Sequence, residues 1–132
     1  MKPDFSGEYI LNRSASALSP NARAIASARM RIVHEDPRFW CSARFASDDD
    51  TVEFTFERFT DDRRSPADGQ ESSRCYWEGD TLVSEDRLGA GETAVVMTWR
   101  YELLGEGRHL RATERIRGGS RDQDNVWEFE RQ

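Results

Sequence analysis

The sequence predicts an all-β fold: an antiparallel up-and-down β-barrel of about nine strands, with at most one short helix after the first strand. Two observations lead there. Apolar residues recur with a side-chain period of two along most of the chain, as in strands whose successive Cβ atoms point to opposite faces. The runs are short and separated by local turns carrying Gly, Pro, Asp or Asn, which favours a meander. Closing such a sheet removes edges that would otherwise pair with other chains. A two-layer sandwich is the alternative arrangement.

The alternation is clearest in residues 92–104, ETAVVMTWRYELL, where Thr93, Val95, Met97, Trp99, Tyr101 and Leu103 share one face and Arg100 and Glu102 the other. From the N-terminus, residues 5–11 begin with a glycine motif and continue as a short strand. Residues 12–20 are a polar connection, and Ser19-Pro20 has the form of a helix start, serine as N-cap and proline at the first helical position. Because Ala22, Ala24, Ala26, Ala28, Met30, Ile32 and His34 also alternate, the expectation is one short helix or turn near 20–25 and a strand over 27–35. Asp36-Pro37 turns the chain into a strand over 38–46, and the Ser-Asp-Asp-Asp turn leads to another over 51–59. A polar loop, expected to be mobile, covers 60–71. Strands over 72–78 and 81–88 are joined by Gly79-Asp80, a tight hairpin signal. Those over 108–117 and 125–131 follow the 92–104 strand.

At 132 residues the chain fits one domain, 1–132, long enough to bury a core without staples. Charged residues make up 33% and the formal charge is −6, which argues against a nucleic-acid partner. No apolar run approaches a membrane span, and MKPDFSGEY lacks the apolar core of a signal peptide, so a cytoplasmic location is expected. Cys41 and Cys75 sit among apolar residues two strands apart in a meander, beyond disulfide reach, and are expected reduced and buried.

Phe5-x-Gly7-x-Tyr9 resembles the N-terminal F-x-G-x-W signature of lipocalins and intracellular fatty-acid-binding proteins, the calycin group. Trp77-Glu78-Gly79-Asp80-x-Leu82, Tyr101-Glu102-Leu103 and the closing Trp127-x-Phe129-Glu130-Arg131 look like the second half of such a barrel. The resemblance implies a lipocalin-like barrel that binds a small hydrophobic ligand. The chain departs from the group in three places. Tyr9 replaces the tryptophan, the first connection is too short for a two-helix lid, and Trp127 and Phe129 look to stand where many fatty-acid-binding proteins carry the R-x-Y pair that grips a carboxylate. Arg58 is then the one inward-row residue that could partner an acidic ligand, or else a rim arginine in water.

The inward rows supply candidate ligand contacts: Phe39, Phe54, Phe56, Arg58, Trp77, Met97, Trp99, Tyr101, Glu114, Trp127 and Phe129. Apolar walls with a few polar groups describe a small-molecule cavity, and also a filled core. The polar exceptions are sharper. Glu114 lies on the row Leu110, Ala112, Glu114, Ile116, Asp86 on Leu82, Ser84, Asp86, Leu88, and His34 ends Ala28, Met30, Ile32, so a desolvated carboxylate and an imidazole are available for acid–base work, unless each is salt-bridged or at a strand end. Two function classes follow: a carrier or sensor of a small hydrophobic or amphipathic molecule, and a cofactor-free isomerase, cyclase or hydro-lyase using His34, Asp86 or Glu114. No zinc-type ligand spacing, calcium loop, phosphate loop or dinucleotide fingerprint is present, so neither metal nor cofactor is expected, and Asp122-Gln123-Asp124-Asn125 reads as a polar hairpin tip.

Overall fold

The structure, a computed structural model, describes residues 2–62, 65–66, 72–89, 94–118 and 122–132. In chain order the strands are β1 (Gly7–Leu11), β2 (Ile25–Glu35), β3 (Arg38–Ser47), β4 (Thr51–Phe59), the two-residue β5 (Ser65–Pro66), β6 (Ser72–Glu78), β7 (Thr81–Leu88), β8 (Val95–Leu104), β9 (His109–Arg117) and β10 (Gln123–Arg131). All pairings are antiparallel within one sheet of order β4-β3-β2-β1-β10-β9-β8-β7-β6-β5, so β1 joins the last strand and chain neighbours are sheet neighbours except β4 and β5, which stand at its two ends. Among the described residues β4 comes back beside β6 without a ladder, and the sheet is a nearly closed barrel.

Period-two reading located the longer strands because burial alternates along much of their length, most regularly in β2. In β2 the residues Ala28, Met30, Ile32 and His34 are buried while their neighbours are exposed. The opening run of 92–104 is observed from Val95 onward, residues 90–93 lying outside the described residues. Most of the expected loop over 60–71 lies outside them too, so its mobility has no structural counterpart here; β5 is its described part.

The short helix or turn expected near 20–25 is a single 3₁₀ turn, Ala22–Ala24, preceded by another at Arg13–Ala15. Competing bonds explain why neither grows longer. Asn12 accepts from the Ala15 amide at 3.3 Å, Ala17 forms a β-bridge to Val126, and the Ser19 amide donates to the Asn125 side chain at 2.7 Å. The connection is thereby tied to β10, and β2 takes over at Ile25, two residues before its expected start.

The glycine motif closes one end of the barrel. Phe5 is fully buried, and its carbonyl accepts the Tyr9 hydroxyl at 2.7 Å. The Arg131 guanidinium lies 5.8 Å from the centre of the Tyr9 ring and donates to the Ser6 and Gly107 carbonyls. A Cβ on Gly7 would meet Arg131 Nε at 2.9 Å, which is why a residue without one stands there. Phe5 packs on Phe39, Trp77 and Tyr101 at centroid distances of 6.2, 6.0 and 6.4 Å, forming a solid aromatic floor.

Candidate functional site

Above that floor the barrel is not filled. A cavity of about 400 Å³ is lined by Met30, Phe45, Phe54, Thr55, Phe56, Arg58, Ser84, Asp86, Met97, Trp99, Tyr101, Ala112, Glu114 and Phe129. Register explains why these side chains converge. Trp99 of β8 stands opposite Ser84 of β7 and Glu114 of β9, and Glu114 stands opposite Asn125 of β10, so one row crosses four strands at the same height. Another wall is a phenylalanine ladder on β3 and β4, with Phe45–Phe54 at 5.7 Å and Phe54–Phe56 at 6.2 Å. Phe54 is 40% exposed and Val52, two residues earlier on the same row, 52%, which marks the mouth at the β4 edge.

Two polar devices face this space. Glu114, 8% exposed, accepts at Oε1 from Asn125 Nδ2 at 3.0 Å and from Trp127 Nε1 at 3.2 Å. These bonds satisfy a carboxylate that would otherwise be costly in an apolar wall. Arg58 reaches from β4 to β7, where its Nη2 lies 3.1 Å from Asp86 Oδ1, while Nη1 donates to the Glu57 carbonyl at 2.9 Å. Its guanidinium lies 5.1 Å from the centre of the Phe56 ring, and its Nε is buried without a hydrogen-bond partner. The pair thus crosses the seam between β4 and β6. At the wall, burial holds the Tyr101 phenol well above its ordinary pKa, so it remains a neutral hydroxyl.

Of the residues expected to contact a ligand, Phe54, Phe56, Arg58, Met97, Trp99, Tyr101, Glu114 and Phe129 line this cavity. Phe39 and Trp77 do not, because they belong to the aromatic floor, Phe39 packing 5.5 Å from Tyr101 on the side toward Phe5. Trp127 lies behind the wall, edge-on to Phe45 at 5.1 Å and donating to Glu114. The three acid–base candidates are divided. Asp86 and Glu114 line the cavity, whereas His34 lies in the floor against Phe5, Phe39 and Trp77. There the Phe5 amide donates to His34 Nδ1 at 3.1 Å, so the ring proton sits on Nε2 and is donated to Asp36 Oδ1 at 2.5 Å. The imidazole is a structural clamp on the N-terminal segment.

Asn125 carries a role that reading 122–125 as a hairpin tip did not foresee. It is 1% exposed, and its amide joins Glu114 to the Ser19 backbone. The buried Asn in an alternating row with Trp127 and Phe129 was the available signal. A larger hollow of about 730 Å³ lies outside the barrel over β1–β4, but its rim is Glu8, Arg29, Arg31, Arg44 and Glu53, charged side chains of a solvated face. Cys41 and Cys75 are free and buried, and burial pushes both thiols up to about 12. No group of three His, Cys, Asp or Glu among the described residues is placed to hold a metal ion, and no described helix is long and apolar enough to cross a membrane.

Fold and cavity together define a small, nearly closed antiparallel barrel with an apolar interior hollow, the architecture of lipocalin-like proteins. Two solved structures share it: a secretory abundant heat soluble protein from Ramazzottius varieornatus, with a TM-score of 0.60 and 11% identity over 99% of this chain and 98% of that one, and secretory abundant heat soluble protein 4 from the same organism, with a TM-score of 0.58 and 11% identity over 100% and 98%. At that identity the likeness is one of fold. No protein-family model and no curated protein matches the chain.

Proposed function

We propose that the protein binds a small hydrophobic or amphipathic molecule inside the barrel, as a carrier or sensor. The observation that carries this reading is the cavity of about 400 Å³, whose walls are mainly Phe, Trp, Met and Tyr side chains with a few converging polar groups. Such a composition and size suit a ligand that buries an apolar body and anchors one polar end. Free cysteines support a reducing, cytoplasmic setting. The test is a fluorescence titration with N-phenyl-1-naphthylamine, a neutral dye that brightens in apolar surroundings. Saturable one-to-one binding is expected; a linear, non-saturating response would overturn the reading.

A cofactor-free isomerase, cyclase or hydro-lyase is the second reading, favoured by one observation: Asp86 and Glu114 both border the cavity. It draws no support from His34, whose two ring nitrogens are engaged with Phe5 and Asp36 away from that space. Asp86 is held by Arg58 and Glu114 by two neutral donors, so a substrate would have to recruit a carboxylate already in use.

A further inference from the structure

We infer that the interior site selects ligands whose polar end donates hydrogen bonds, a hydrophobic amine first, and discriminates against carboxylates. This inference rests on the ligand-binding reading above and names the chemistry of that same site.

The charged groups on the cavity wall are Arg58, Asp86 and Glu114. The arginine is paired but not saturated: one terminal nitrogen donates to Asp86 and the other to the Glu57 carbonyl, while Nε is buried without a hydrogen-bond partner. An anionic head drawn to this guanidinium meets Asp86 already paired with it at 3.1 Å and competes with that carboxylate for the same cation. On β10, Trp127 and Phe129 bring no charge to the wall, and the indole N–H of Trp127 is directed at Glu114. The described lining therefore sets two carboxylates, Asp86 and Glu114, against one cation that is already paired with Asp86.

Glu114 is the opposite case. Its two described donors are neutral, and both fall on Oε1. They hold the carboxylate in place without cancelling its charge. It stands directly across from Trp99, whose ring is stacked on Tyr101 at 6.1 Å and 8°. A carboxylate beside aromatic faces is a favourable surrounding for an ammonium, which gains a charge-assisted hydrogen bond from the one and a cation–π contact from the other. A second carboxylate brought to the same place meets like charge at reduced dielectric. An alcohol donates one ordinary hydrogen bond and falls between the two.

Competition of decylamine, decanol and decanoic acid against the naphthylamine dye tests this, since the three share an apolar chain. Decylamine is expected to bind at least about tenfold more tightly than decanoic acid, and Glu114→Gln to remove about tenfold of amine affinity while changing decanol little. The glutamine keeps an oxygen for Asn125 and Trp127, and the comparison on unaltered protein does not depend on the variant. Decanoic acid binding as tightly as decylamine, or an amine preference surviving in Glu114→Gln, would overturn the inference while leaving ligand binding intact. If neither decanol nor the dye binds, the ligand-binding reading itself falls, and this inference with it.

Discussion

Glu114 and Asn125 form a pair whose value lies in what each would lose without the other. Removing the Asn125 side chain takes a donor from a carboxylate that is 8% exposed and an acceptor from the Ser19 amide. Asn125→Ala is therefore expected to lower stability by about 1–3 kcal/mol, read as a shift of the urea midpoint at unchanged slope. An unshifted midpoint would mean that water replaces the amide at no cost. Alternation put Glu114, Trp99, Tyr101 and Met97 on the inner face without any structure, because a period of two specifies a face. It does not specify depth. That is why His34, on the correct face, was a candidate base in the sequence and a clamp beside Phe5 in the fold, and why Phe39 and Trp77 lie in the floor rather than around the hollow.

On the outer face of β9 and β10 the elements carry their own electrostatics. His109 points Nε2 at Glu128 and has Nδ1 2.9 Å from Glu130 Oε1, so two acceptors face the ring and only the doubly protonated imidazolium can donate to both. The Glu128 hydrogen bond first, and then that to Glu130, hold the His109 pKa above its ordinary value against the opposing effect of burial. Burial pushes the Glu128 carboxyl up, but the bonds from His109 and Arg111 outweigh it and leave the pKa lowered. For His109 the folded value exceeds the unfolded one. Its contribution is thus fully present below the unfolded value of about 6.5 and lost as pH rises through the raised folded value. Since the ring is partly exposed, about 0.5–1 kcal/mol is at stake. Stability of the natural protein should decline across that interval relative to His109→Gln; parallel profiles would contradict the assignment. The strands were legible where burial alternates, as in β2, β3 and β9. The connection between β1 and β2 was less so: its bonds go to Val126 and Asn125, more than a hundred residues away, and local helix signals at Ser19-Pro20 carry no trace of them.

Across the whole molecule, closure is incomplete at the β4–β6 seam, where no ladder joins the described residues and the contacts include the Arg58–Asp86 ion pair near the cavity and the Asp62 amide to the Cys75 carbonyl at 2.8 Å. The mouth beside Phe54 opens at the same edge strand, so the least continuous part of the sheet is also the route into the hollow. Meander order, strand count and the inward rows followed from the residues. Whether the barrel is open or filled did not, because that depends on the sum of side-chain volumes around the hollow, where Ser84 stands beside Trp99 and Ala112 beside Tyr101. These two small residues leave the space. The most direct measurement is the dye affinity of Ala112→Phe beside that of the natural protein, with both melting temperatures recorded. A phenyl ring growing into a real void should weaken binding by about tenfold or more while changing stability by less than about 1 kcal/mol, since the void accepts the added volume. Undiminished dye binding, or a loss of about 1–3 kcal/mol from overpacking, would contradict an open, ligand-holding barrel.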